Sequence, residues 1–119
     1  MDYKKDITMA AIRAYTTIEQ SRKLAKILPL ESADMKILPF TEREYRIVPI
    51  NDISVCGRED EIYAWSLAAL LDVYPMIVGR DMDMYCCWQN SKHLCSRHYD
   101  NPVDACYEMI LKLYELKLL

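Results

Sequence analysis

Tyr85-Cys86-Cys87-Trp88, Gln89-Asn90-Ser91, His93-Leu94-Cys95-Ser96 and then Asn101-Pro102-Val103 make up the stretch on which the fold turns. Two groups rich in aromatic and small apolar residues flank a polar, turn-forming triplet, so they are expected to pair as strands. Asn101 is a preferred N-cap and Pro102 a preferred first helical residue. Beyond them Val103, Cys106, Tyr107, Ile110, Leu113 and Tyr114 recur at helical spacing. Asp104 near the start of that helix and Lys112 and Lys117 near its end suit the helix dipole. Paired strands followed at once by an amphipathic helix predict an α+β chain.

Upstream of this stretch, Met76-Ile77-Val78 reads as the start of a strand and Gly79-Arg80-Asp81 as a turn. A helix is predicted from about Asp60 to Asp72 and stopped by Pro75. Its run from Ala64 to Leu71 is apolar nearly all round, the mark of a helix buried on most sides. Met35 to Phe40 and Tyr45 to Ile50 flank Thr41-Glu42-Arg43-Glu44 and read as a hairpin. Pro39 and Pro49 cannot donate to a ladder, which places this hairpin at a sheet edge. Asn51 to Gly57 is a loop or a further short strand. Thr17 and Gln20 have the spacing of a capping box. From there Ser21, Leu24, Ala25 and Leu28 share a helical face until Pro29 ends the helix. Ala10 to Tyr15 is a short opening strand or part of a helix. The expected whole is a single α+β domain over residues 1–119. It would be a small, mostly antiparallel sheet of about five strands packed against two or three helices.

The totals narrow the function. At 119 residues the chain is one domain, and a hydrophobic fraction of 52% allows a packed core. A net charge of −3 argues against nucleic acid, whose binders carry a basic stripe. Arg22, Lys23 and Lys26 read as a solvated helix face. No stretch approaches the ~20 apolar residues that cross a bilayer, and the opening residues lack the apolar core of a signal peptide. The expected location is the cytoplasm of a bacterial host cell, with the five cysteines as thiols. Two glycines exclude a Gly-rich phosphate loop.

Few residues carry the pattern of a reactive site. Cys86, Cys87, His93, Cys95 and His98 are zinc-type ligands close in sequence, but no C-x2-C pair exists. If residues 93–98 are extended, His93 and Cys95 face away from His98. Cys87, His93 and Cys95 are thus weak metal candidates, more simply read as hairpin residues with small buried thiols. A nucleophile set of Cys87 or Cys95 with His93 or His98, oriented by Asp100, lacks any recognisable oxyanion loop. Glu59, Asp60 and Glu61 read as caps of the helix that follows, and Asp81 and Asp83 flank a turn and fall short of the ligand number of a calcium loop. No cofactor and no catalysis are expected. Nine tyrosines suggest contact surfaces, and Tyr85, Trp88 and Tyr99 are the candidate aromatic surface.

Three stretches carry a resemblance: Tyr15 to Ser21 leading to Glu31-Ser32-Ala33-Asp34-Met35, then Ala64 to Leu71, then Tyr99 to Cys106. In this order they resemble a family of small uncharacterised proteins encoded by phages and mobile elements of gut Bacteroidales. The resemblance implies a setting and no catalytic or ligand residues. The function expected is that of an accessory protein acting by binding, through protein–protein interaction with a host-encoded partner or a second copy of itself. The alternative is a small-molecule or nucleotide-derivative binder with a pocket between helix and sheet. A flat exposed aromatic patch would mark the first, and a concave apolar pocket with convergent polar groups the second.

Overall fold

In the computed structural model, residues 13–39, 44–51 and 61–119 are described. They form three helices and two three-stranded antiparallel sheets, an α+β arrangement with six strands rather than one sheet of five. The elements in order are α1 (Ile18–Leu24), β1 (Met35–Pro39), β2 (Tyr45–Pro49), β3 (Ile62–Ala64), α2 (Leu67–Leu71), β4 (Ile77–Asp81), β5 (Met84–Gln89), β6 (Leu94–Cys95) and α3 (Pro102–Glu115). Short 3₁₀ turns cover Leu30–Ser32 and Asn90–Lys92.

The first sheet has the order β2-β1-β3. β1 is therefore central, where the two prolines had suggested an edge. Pro39 closes β1, and β3 pairs only with Met35 to Ile37, so no ladder donor is needed at residue 39. Pro49 closes β2, which is an edge. The helix expected from Asp60 begins only at Leu67, and Ile62-Tyr63-Ala64 is a strand instead. Ser66 is the reason. Its hydroxyl caps α2 through Ala69 N–H, and Asp34 accepts hydrogen bonds from both its N–H (2.8 Å) and its hydroxyl (2.5 Å). Of the predicted all-round burial, Leu70 is fully buried in α2 while Ala68 is exposed. Glu59, Asp60 and most of Asn51 to Gly57 lie outside the described residues. Glu61 is no cap: it lies 2.8 Å from the ammonium of buried Lys36 as an ion pair, out of hydrogen-bond alignment.

α1 is held by the expected capping box, with Thr17 N–H on Gln20 Oε1 (3.0 Å) and Gln20 N–H on Thr17 Oγ1 (3.1 Å). It stops at Leu24, earlier than Pro29 would require, and Ala25 is exposed while Leu24 and Leu28 turn inward. Of the opening segment, residues 10–12 lie outside the described part, and residues 13–15 are in neither a helix nor a strand but make one isolated antiparallel bridge, Tyr15 with Ser66. α3 begins as predicted, with Asn101 Oδ1 accepting from Val103 N–H at 2.9 Å and Pro102 in the first turn. Val103, Cys106, Met109, Ile110 and Leu113 form the centre of the core with Leu24, Trp65, Leu70 and Cys87. Tyr114, expected on the same stripe, is exposed. Burying each large apolar side chain contributes about 1.5–3 kcal/mol, which outweighs the weak intrinsic stability of helices as short as α1 and α2.

Candidate functional site

The second sheet, ordered β4-β5-β6, carries the candidate site on the side away from α3. Gly79, Arg80 and Asp81, expected as a turn, are strand residues. The hairpin turns instead at Met82 and Asp83, with Met82 at φ 60°. Pairing sets Ile77 opposite Trp88, Gly79 opposite Cys86, and Asp81 opposite Met84. These residues share one face, and Val78 and Cys87 take the other, where they meet α3 in the core. Trp88 lies across Gly79 so closely that a Cβ there would sit 2.7 Å from its Cζ3. The glycine is thus the seat of the indole. Beside it Ile77 is 57% exposed, and Met84 and Met82 are also exposed, Met82 by 88%. Pro75, Ile77, Trp88 and Asn90 border a shallow apolar hollow of about 420 Å³. Among the described residues β4 pairs on one side only, so this apolar face ends in an open strand edge.

Two thiol pairs lie back to back across β5. On the outer face Cys86 Sγ is 3.0 Å from Cys95 Sγ, with Cys86 buried and Cys95 exposed. On the inner face Cys87 and Cys106 are both buried, and the neighbouring Cys106 thiol together with burial pushes the Cys87 thiol up. The hydrogen bond with Cys86 pushes the Cys95 thiol up to about 11. The chain leaving β6 is clamped to α3 by Glu108. This carboxylate accepts from Arg97 Nε (3.0 Å), from Arg97 N–H (3.3 Å) and from the Tyr99 hydroxyl (2.5 Å). Lys112 Nζ lies 3.3 Å from Glu108 and donates to the Cys95 carbonyl at 2.9 Å. Burial opposes ionisation of Glu108, but the bonds from Tyr99, Arg97 and Lys112 overcome it and hold the carboxyl at about 2.

The sequence candidates are not brought together. Tyr85 and Trp88 are three apart in one strand and so point to opposite faces. Tyr85 bridges Tyr99 through the backbone on the side away from Trp88, so the three aromatics do not make one patch. Cys87 and Cys95 likewise lie on opposite faces of the sheet, and His93 is an exposed left-handed residue ending the 3₁₀ turn. Among the described residues no group of three His, Cys, Asp or Glu is placed to hold a metal ion. His98 pairs with Asp81 at 3.2 Å on the surface, and among the described residues neither histidine is hydrogen-bonded to a thiol. Asp83 lies 3.6 Å from Arg80, fully in solvent. The sequence places Ile77 at the start of a strand but gives Met82 and Met84 no role. Their signal is the alternation Met84, Cys86, Trp88, which a turn at Gly79 to Asp81 conceals.

Two further recesses exist. A groove of about 600 Å³ runs between α1 and β3, with Ala25, Leu30 and Ile62 as its apolar part and Arg22, Lys26 and Tyr63 along it. A polar recess of about 450 Å³ lies where α1 meets α3. Arg13 Nη2 and Gln20 Nε2 both donate to Asp104 there, at 2.7 and 2.8 Å, while Arg13 Nη1 is buried with no hydrogen-bond partner. Among the described residues no helix is long and apolar enough to cross a membrane. Comparison with protein families, with curated proteins and with solved structures finds no match for the chain.

Proposed function

We propose that the chain acts by binding a protein through the outer face and open edge of the β4–β5 hairpin. The observation that carries this reading is exposed Ile77 opposite Trp88 on β4, whose outer edge is unpaired among the described residues, with exposed Met82 and Met84 at the turn end of the same hairpin. An extended segment of a partner can add to such an edge through main-chain hydrogen bonds and pack apolar side chains over Ile77 and Trp88. Aromatic and methionine side chains at the centre of a patch are what interfaces enrich. The reading contains no catalytic step. The setting implied by the sequence resemblance, a phage or mobile element in a gut Bacteroidales cell, makes a host-encoded protein or a second copy of the chain the first partner to seek.

The test places a photo-cross-linking amino acid at position 77 and, as a control, at exposed position 114 on α3. Tagged protein is expressed in a Bacteroidales host and irradiated. A discrete product at 77 and none at 114, lost on Met84→Lys, supports the hairpin as the interface. Equal products at both positions, or none at 77, overturn it.

One observation favours a second reading, small-molecule or nucleotide-derivative binding. The groove between α1 and β3 has the size of a ligand site and an apolar part, and it is lined by cationic Arg22 and Lys26 as well as by Glu61, whose charge is paired with Lys36. Neither Arg22 nor Lys26 has an ion-pair partner among the described residues. Thermal-shift screening of anionic metabolites against wild type and Ile62→Glu separates this reading from the first. A ligand whose stabilising shift disappears in the variant would establish the groove.

A further inference from the structure

We propose that Cys86 and Cys95 form an oxidisable dithiol site, closed to an intramolecular cystine by exchange with a low-molecular-weight disulfide. The two sulfurs stand 3.0 Å apart, about 1 Å beyond a disulfide bond. Their closeness is built into the sheet. Cys95 lies opposite Trp88, so Cys86 is its diagonal neighbour on the same face. Past Cys95 the ladder changes character. Ser96 N–H donates to the Cys87 carbonyl (2.8 Å), while Cys87 N–H donates to the Ser96 hydroxyl (2.9 Å) rather than to a carbonyl. The Ser96 carbonyl is thereby left 3.3 Å from both Cys86 Sγ and Cys95 Sγ, as the shared acceptor of the pair. From the other side Lys112 holds the Cys95 carbonyl, and Arg97 and Tyr99 anchor the next residues on Glu108.

The two thiols differ in access. Cys95 is exposed and can meet a dissolved disulfide, whereas Cys86 is 1% exposed and can meet only Cys95. Cys87 and Cys106 are both fully buried, which keeps them out of the exchange. In the first step the Cys95 thiol loses its proton to solvent, and its sulfur attacks one sulfur of the reagent disulfide. The reagent S–S bond breaks, and one thiolate leaves and takes up a proton. In the second step Cys86 sulfur, losing its proton, attacks Cys95 sulfur and expels the second reagent thiol. The protein gives up two hydrogens with their two electrons, and the reagent gains them as two thiols. The Cys86–Cys95 hydrogen bond that raises the Cys95 thiol keeps Cys95 protonated at neutral pH. The site therefore answers to a sustained rise in disulfide, since exchange proceeds through the thiolate fraction. This inference is independent of any partner at the hairpin.

The experiment incubates the reduced full chain with glutathione disulfide, quenches and unfolds it in acid and denaturant, alkylates every remaining thiol with N-ethylmaleimide in that denaturant and measures intact mass and linked peptides. The expected product has lost two hydrogens, retains no glutathione, and carries maleimide on three of the five cysteines. A peptide pair joins Cys86 to Cys95. In Cys86→Ala a single glutathione stays on residue 95, because nothing resolves it. In Cys95→Ser, a surface change, all four remaining thiols stay alkylatable. A stable glutathione adduct on wild type, a linkage between any other cysteines, or oxidation of Cys95→Ser at the wild-type rate would overturn the proposal.

Discussion

Replacing Glu108 by Gln removes the one negative charge at the clamp between α3 and the chain leaving β6. Folded Glu108 titrates at about 2 against an ordinary 4.5, a difference of 4.5 − 2, or about 2.5 units. At 1.36 kcal/mol per unit the carboxylate contributes at most about 3 kcal/mol. Its side chain is only 13% exposed, but its partner Arg97 is 80% exposed, so solvent screens much of that interaction. A loss of about 1–2 kcal/mol at pH 7 is the worked expectation. The sign follows from the lowered value. Stability from Glu108 is complete above pH 4.5 and is lost as pH falls from 4.5 toward 2. Urea titrations of wild type and Glu108→Gln should therefore show a constant gap at neutral pH that narrows below 4.5 and closes near 2. High salt should shrink the gap at pH 7 by the share owed to exposed Arg97. A gap of the same size at every pH would instead mean that shape, and not charge, is what the variant removes.

Four further outcomes are expected. Ser32→Ala takes the acceptor from the fully buried Trp65 indole N–H, now bonded at 2.9 Å, and should cost about 1–3 kcal/mol in thermal or urea unfolding. Met82→Gly relieves a left-handed backbone at φ 60° and should raise stability by about 1–2 kcal/mol, measured by the same titration. Gly79→Ala places a Cβ 2.7 Å from Trp88 and should swing the indole outward. A red shift of tryptophan emission and loss of cross-linking from position 77 would report it. Cys86→Ala removes the main cause of the raised Cys95 thiol, so the pH profile of iodoacetamide labelling at Cys95 should inflect below the wild-type value of about 11.

The parts of the fold legible in the sequence are those set by local chemistry. Thr17 with Gln20 and Asn101 with Pro102 act within a single turn, and both caps stand where their spacing places them. Hidden were the outcomes decided by a distant residue. Ile62 to Ala64 continues an apolar helical run in the sequence, yet Asp34, more than thirty residues earlier, fixes Ser66 as the cap and leaves the preceding segment to pair with β1. Gly79 reads as a turn because nothing local reveals that Trp88 will cover it. Lys36 sits in a strand that reads as apolar at either side, and its ion pair with Glu61 lies across the sheet, outside any local pattern. The thiols show the same limit. Pairing of Cys86 with Cys95 follows from the β5–β6 register, but the contact of Cys87 with Cys106 needs the docking of α3, which no spacing within the hairpin announces.

That docking also sets the order in which the molecule can be made. α1 and α2 span seven and five residues, too few to persist as isolated helices. During translation β1, β2 and β3 emerge well before α3, which supplies Val103, Cys106, Met109, Ile110 and Leu113 to the centre of the core. Until those residues have been synthesised, Leu24, Trp65 and Cys87 lack the surface that buries them. A ribosome stalled before residue 102 would therefore display a sticky nascent chain, a natural client for chaperones, and pulling-force or protease probes of arrested chains should find no compact state until α3 has left the exit tunnel.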